Sequence, residues 1–156
     1  MATSRSSSTF PRRAAALRLL GALGLSALLA CGPSTAGAPP EVEFPADALA
    51  TEVTASGLKL ELRTSPQPPA RGVLGVQYRV TTATGAPVDG LSLDVVPWMP
   101  DMGHGAATKP EIQTASQGTY VLPNVYLAMP GRWELRTHLT GPGAIDELAA
   151  PALQIP

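Results

Sequence analysis

The chain has 156 residues, with 11 basic and 12 acidic side chains, a formal net charge of −1 and a single cysteine. One cysteine excludes an intramolecular disulfide and a metal site built from several thiolates. The lack of a basic excess excludes the electrostatic surface that nucleic-acid binding needs, so no nucleic-acid partner is expected.

The N-terminal segment has the features of a bacterial export signal. Residues 1–30 contain no acidic residue, and the apolar run Leu19–Ala30 is too short for a comfortable transmembrane helix. The segment ends in "LLAC", which resembles a lipoprotein lipobox, where signal peptidase cuts before the cysteine and lipid is attached to it. Residues 1–30 are therefore expected to be a lipoprotein signal peptide. An ordinary secretory signal and, because of "PRRAAAL", the twin-arginine export route are the alternatives.

A lipidated Cys31 would hold the mature protein on a membrane surface. Lipid on this sulfur leaves no thiol in the chain, so any metal site must be built from Met, His and carboxylates. Gly32 stands where an Asp would favour inner-membrane retention in many Gram-negative bacteria, so the lipoprotein resemblance implies an outer-membrane anchor facing the periplasm. Loss of residues 1–30 removes four arginines and leaves 7 basic against 12 acidic residues, a net charge of −5.

The rest of the chain divides into a tether and one domain. Residues 31–50 are rich in Pro, Ala and Gly without a period, which predicts a lipid-anchored flexible tether. Residues 51–156 have the size of a single domain. Four runs in this domain alternate apolar and polar residues, as strands with one buried face do. Their apolar positions are Leu58, Leu60 and Leu62; Val76, Tyr78 and Val80; Leu91, Leu93 and Val95; and Trp133, Leu135, Thr137 and Leu139.

Turn signals separate these runs and support the same fold class. "ATGAPVDG", "SQGT" and "MPGR" lie between strand patterns, and "TYVLPNVYLAM" and "AAPALQI" are less regular runs that supply further strands. No segment has a sustained helical period or a tandem repeat. The sequence therefore predicts an all-β domain, an antiparallel β-sandwich of about seven strands in two sheets.

Two motifs in the domain carry a family resemblance. "PWMPDMGHG", followed by "GTYVLPNVYLAMPGRWEL", resembles the pattern of the YtkA-like domain family, which is similar to FixH-like proteins and implies an immunoglobulin-like sandwich. The first motif is matched by Met99, Pro100, Met102, His104 and Gly105, and the second by Gly118, Tyr120, Met129, Pro130, Gly131 and Trp133. The resemblance covers roughly residues 57–140. It implies copper handling or assembly of membrane redox proteins, which are suggested for relatives.

The methionines of the domain all lie in these two motifs and form a candidate metal site. Thioethers and imidazole suit Cu(I), and they do so in an oxidising compartment where thiolates are lost to disulfides. The candidate ligands are Met99, Met102, His104 and Met129. Gly103 and Gly105 leave the loop free to turn His104 and Met102 towards a common centre.

A packing role is the alternative for the same side chains. Methionine is an adaptable core filler, so Met99 and Met129 would plug the end of the sandwich beneath Trp98 and Trp133. His104 would then hydrogen-bond a loop carbonyl. His138 is a weaker candidate ligand, because it shares its strand face with charged side chains, which indicates exposure to solvent.

No motif indicates an enzyme, since the sequence has no nucleophile elbow, phosphate loop or His-Glu metalloprotease helix. Asp101 near His104 resembles an acid–base pair, but such loop neighbours are usually only solvated. Two hypotheses remain. The first is a membrane-anchored periplasmic lipoprotein that binds Cu(I) as a carrier or accessory factor. The second is a metal-free module that presents its loops to an envelope protein partner.

Overall fold

The computed structural model describes residues 42–156. The predicted signal peptide, Cys31 and residues 31–41 of the predicted tether lie outside this range. The described residues form ten strands and one 3-10 turn: β1 (Ala50–Val53), β2 (Lys59–Ser65), β3 (Gly72–Thr81), β4 (Ser92–Met99), the 3-10 turn (Pro100–Met102), β5 (His104–Gly105), β6 (Gln113–Thr114), β7 (Thr119–Leu127), β8 (Gly131–Gly141), β9 (Ile145–Ala149) and β10 (Ala152–Ile155).

The strands form two antiparallel sheets. One sheet has the order β1-β2-β3-β7-β6, and the other has the order β10-β8-β4-β5, with β9 pairing with the second half of β8. The predicted all-β sandwich is confirmed. The strands number ten rather than about seven, because β5 and β6 have two residues each and are too short to show an alternating pattern.

The core lies between the sheets and is built from the alternating positions. All the predicted inward side chains are buried, and Leu60, Val76 and Leu135 have no exposed surface. Leu153 and Ile155 of β10 complete the same core. The four periodic runs therefore identified the buried face of each strand correctly. Among residues 42–156, no helix is long and apolar enough to cross a membrane.

The irregular pattern of β7 has a structural cause. Leu74 of β3 pairs with Val125, whereas Val76 pairs with Leu122, so two residues of β7 are opposed to one residue of β3. Such a bulge reverses the alternation between the two halves of the strand. Pro123 lies within the bulge, where a missing backbone N–H does not interrupt the ladder.

Residues 42–49 lie against the outer face of β2 and β3. The Arg63 side chain donates from Nε to the carbonyl of Ala46 at 3.1 Å, and Leu49 N–H donates to Leu62 O at 2.7 Å. A Cβ on Gly75 would lie 2.7 Å from Val42 Cγ1, so only glycine allows this approach. The covering segment explains why Arg63 is buried although its neighbours on that face are charged.

Candidate functional site

The first motif begins at the last buried residue of β4. Met99 is only 3% exposed and belongs to the core, and Pro100 begins the 3-10 turn directly after it. Gly103 adopts a left-handed conformation with φ 68°, and its N–H donates to Met99 O at 3.0 Å. Glycine suits this conformation because it has no Cβ to clash. The turn therefore reverses the chain so that β5 can pair with β4.

The pairing of β4 with β5 places His104 beside Met99. Trp98 is opposite Gly105 and Met99 is opposite His104 in this antiparallel ladder. Directly opposite residues have their side chains on the same face of the sheet. His104 lies at the open end of the sandwich and is exposed, and its Nδ1 is 3.2 Å from the carbonyl oxygen of the adjacent Gly105. Met102, at the tip of the turn, is 60% exposed.

Gly118 and Tyr120 of the second motif hold a neighbouring loop. The Tyr120 hydroxyl donates to Val88 O at 2.9 Å and accepts from Leu91 N–H at 3.0 Å. Burial raises the pKa of Tyr120, so the phenol stays protonated and able to donate. Gly118 has φ 69° and lies so close to Val80 O that a Cβ would overlap this oxygen. Both residues therefore have structural roles.

The remaining residues of the second motif support the methionine-bearing end of the sandwich. Trp133 is buried, and its indole N–H donates to Met129 O at 3.0 Å. Met129 is half-buried and packs against the core. A Cβ on Gly131 would lie 2.9 Å from Met99 Cε, so Met99 fills the space that this glycine leaves open. The start of β8 thus lies directly against the end of β4.

The structure divides the four candidate ligands into two kinds. Met99 and Met129 pack against the core, whereas Met102 and His104 are exposed. Met99 and His104 are adjacent across the ladder, and β8 contacts the 3-10 turn that bears Met102. Among residues 42–156, no three side chains of the His, Cys, Asp and Glu types are grouped to hold a metal ion. Any metal bound here would therefore depend on the methionines.

His138 lies on the outer face of its sheet, as its charged neighbours indicated. Its side chain is 46% exposed, and its Nε2 contacts the Asp146 carboxylate of β9. Asp94 of β4 is opposite His138 in the ladder, and Lys109 holds this carboxylate at 2.8 Å. His138 is therefore part of a surface of paired charges, remote in sequence from the loop motif.

One feature of this outer face was not predicted from the sequence. The guanidinium of Arg136 lies over the ring of Trp98, 4.4 Å from its centroid. Trp98 is half-buried on the outer face rather than in the core, because the alternation of β4 puts it on the same side as Val96. The signal in the sequence was this parity. Trp98 follows the buried Val95 by three positions, so it faces away from the core.

The fold and the loop together define a small antiparallel β-sandwich domain with a Met/His-bearing loop at one end. The chain belongs to the YtkA-like family, whose model matches residues 52–138 and so includes both motifs. A search of curated proteins and a search of solved structures each found no match.

Proposed function

We propose that this chain is a membrane-anchored periplasmic lipoprotein whose YtkA-like domain binds Cu(I) through its Met/His loop and serves as a copper carrier or accessory factor. The proposed ligands are Met99, Met102, His104 and Met129. In this proposal Cys31 carries the lipid, and the domain catalyses no reaction.

The observation that carries the proposal is the exposure of two motif residues that the fold does not use. In the matched motifs, Gly118 and Tyr120 hold a loop, and Trp133 fills the core. Met102 and His104 are exposed instead, and His104 contacts only its neighbouring carbonyl in the described part of the chain. Residues of a family pattern that contribute nothing to packing are the best candidates for binding.

The chemistry of these side chains favours a soft metal. A thioether is a weak ligand for hard cations, whereas Cu(I) accepts thioether and imidazole ligands together. Met99 lies next to His104 in the ladder, so a thioether is available beneath the exposed imidazole. Reaching it requires a small movement of the loop, because Met99 is nearly inaccessible to solvent.

The test is competition for Cu(I) between the purified chain and a chromogenic chelator. We expect Met102→Leu and His104→Ala each to weaken Cu(I) binding about tenfold or more, which corresponds to about 1.4 kcal/mol. Each change should leave the thermal midpoint of the apo protein nearly unaltered, because exposed side chains contribute little core area. Unchanged affinity in both variants, or no Cu(I) binding by the parent, would refute the proposal.

The matched control is Met99→Leu, which removes sulfur but keeps a hydrophobic side chain of similar volume. Weaker Cu(I) binding in this variant would place the buried sulfur among the ligands, and unchanged binding would restrict the site to exposed groups. The burial of Met99 and the packing of Met129 favour a second candidate function. In that case the loop is a metal-free surface presented to an envelope protein, and none of the three variants alters metal binding.

A further inference from the structure

The outer face of the sheet formed by β10, β8, β4 and β5 contains a groove far from the packing of the methionines. Its volume is about 390 Å³, within the range of sites for small ligands. The floor includes Arg136 and His138 of β8, and apolar side chains line it on both sides, including Val96 of β4 and Leu148 of β9. Leu148 is 75% exposed, an unusual degree for a leucine beside a cavity.

Arg136 carries unused hydrogen-bonding capacity into this groove. Its nearest carboxylate is Glu134, at 3.4 Å from Nη2, and the same carboxylate also contacts Arg132 at 3.2 Å. One carboxylate shared by two guanidinium groups leaves one positive charge uncompensated locally. The ring of Trp98 lies under Arg136 and restricts the plane of the guanidinium. A guanidinium held in one plane is suited to bidentate binding of a carboxylate.

The acidic groups around the groove are each engaged elsewhere. Lys109 binds both oxygens of Asp94 at 2.8 Å, and Asp146 contacts His138. Glu52 accepts the N–H of Ala150 at 2.8 Å. These contacts reduce the repulsion that an incoming anion would meet. Arg136 is therefore the group at the groove with the most capacity left for a new anionic partner.

We infer that this groove binds an organic carboxylate that carries an apolar group. The carboxylate binds the guanidinium of Arg136, and the apolar group lies on Val96 and Leu148. Such a ligand is either a small free acid or the C-terminal carboxylate of a peptide that ends in an apolar residue. Both present the same chemistry, and the inference does not depend on the proposed copper site.

The test uses nuclear magnetic resonance of the full isotope-labelled chain, titrated with N-acetyl-leucine. We expect saturable shifts at the amides of Val96, Arg136, His138 and Leu148. N-acetyl-leucinamide, which has the same shape without the charge, should bind about tenfold more weakly or less, as loss of a charge-assisted hydrogen bond implies. The acid 4-methylpentanoate has the same apolar group without the peptide unit. Tighter binding than N-acetyl-leucine indicates a free acid as the ligand, and weaker binding indicates a peptide terminus.

Two substitutions on the same strand face distinguish the groove from general surface charge. Arg136→Gln should weaken N-acetyl-leucine binding about tenfold, whereas Arg132→Gln, which contacts the same Glu134 but does not line the groove, should leave it unchanged. Leu148→Ala should weaken binding without altering the preference for acid over amide. Equal binding of acid and amide, equal losses in both arginine variants, or no shifts at the groove with millimolar acid would each overturn the inference.

Discussion

Replacing Thr137 with Val tests a buried hydrogen bond that joins the two sheets. The Tyr78 hydroxyl of β3 lies 3.1 Å from Thr137 Oγ1 of β8, and Thr137 Oγ1 also donates to Leu135 O at 2.9 Å. The threonine hydroxyl has one proton, so Tyr78 is the donor of the bond between the sheets. Valine keeps the shape and the β-branching of threonine but removes the only described partner of a buried phenol.

The two halves of the pair should differ in cost. Thr137→Val leaves the phenol of Tyr78 buried without a partner, which costs about 1–3 kcal/mol. Tyr78→Phe removes the hydroxyl itself, and Thr137 keeps its bond to Leu135 O, so the cost is about 0.5–1.5 kcal/mol. In the double variant neither polar group is left unpaired. Its cost should therefore be smaller than the sum of the two single costs by about 1 kcal/mol.

Urea unfolding followed by tryptophan fluorescence measures these differences, since Trp133 lies in the core. Thr140→Val is the matched control, because this threonine lies on the outer face of the same strand. Its cost should stay within about 0.5 kcal/mol. A larger loss in Tyr78→Phe than in Thr137→Val, or strict additivity in the double variant, would contradict the assigned direction of the hydrogen bond.

Three further predictions use other parts of the chain. Gly118→Ala should lower the free energy of unfolding by more than about 2 kcal/mol, measured by urea titration, because alanine disfavours a positive φ and its Cβ would overlap Val80 O; a neutral result would mean that the loop shifts freely. Burial raises the pKa of Tyr78 above its ordinary value of 10.0. Since the folded-state pKa is the higher one, the associated stability is present below pH 10 and is lost as the pH rises further, and Tyr78→Phe should unfold with less dependence on alkaline pH. Cys31→Ser should abolish incorporation of labelled lipid and release the protein from the membrane fraction or leave it unprocessed, whereas retained label would exclude lipidation at this residue.

The buried face of each periodic strand could be predicted because alternation directly reports which side chains meet the core. Leu60, Tyr78 and Leu135 were placed correctly from this pattern alone. The same reasoning could not find β5 or β6, since two residues carry no period. It also could not show that Arg63 is buried, because the segment that covers it lies 17 residues away at Ala46. Contacts of this kind depend on tertiary packing.

The candidate site was predicted as a set of residues but not as an arrangement. Both motifs meet at one end of the sandwich, where Gly131 lies against Met99. Sequence spacing gave no means of separating methionines that pack from those that are exposed. The difference is set by where β4 leaves the core and where β5 rejoins it, which depends on the turn at Gly103.

The position of Met102 decides how far packing can explain the loop. β4 contributes buried residues up to Met99, and the ladder resumes at His104 directly opposite it. Between them the chain forms a 3-10 turn with no buried residue, and Met102 occupies its tip with 60% of its surface exposed. A side chain that remains in water on folding gains little from the hydrophobic effect, so a methionine there is not accounted for by the core. Met99 is fully accounted for by the core, since it fills the space beside Gly131. The copper proposal therefore depends on Met102 and His104, and Met102→Leu, which keeps the exposed hydrophobe and deletes only the sulfur, is the substitution that separates a ligand from a surface side chain.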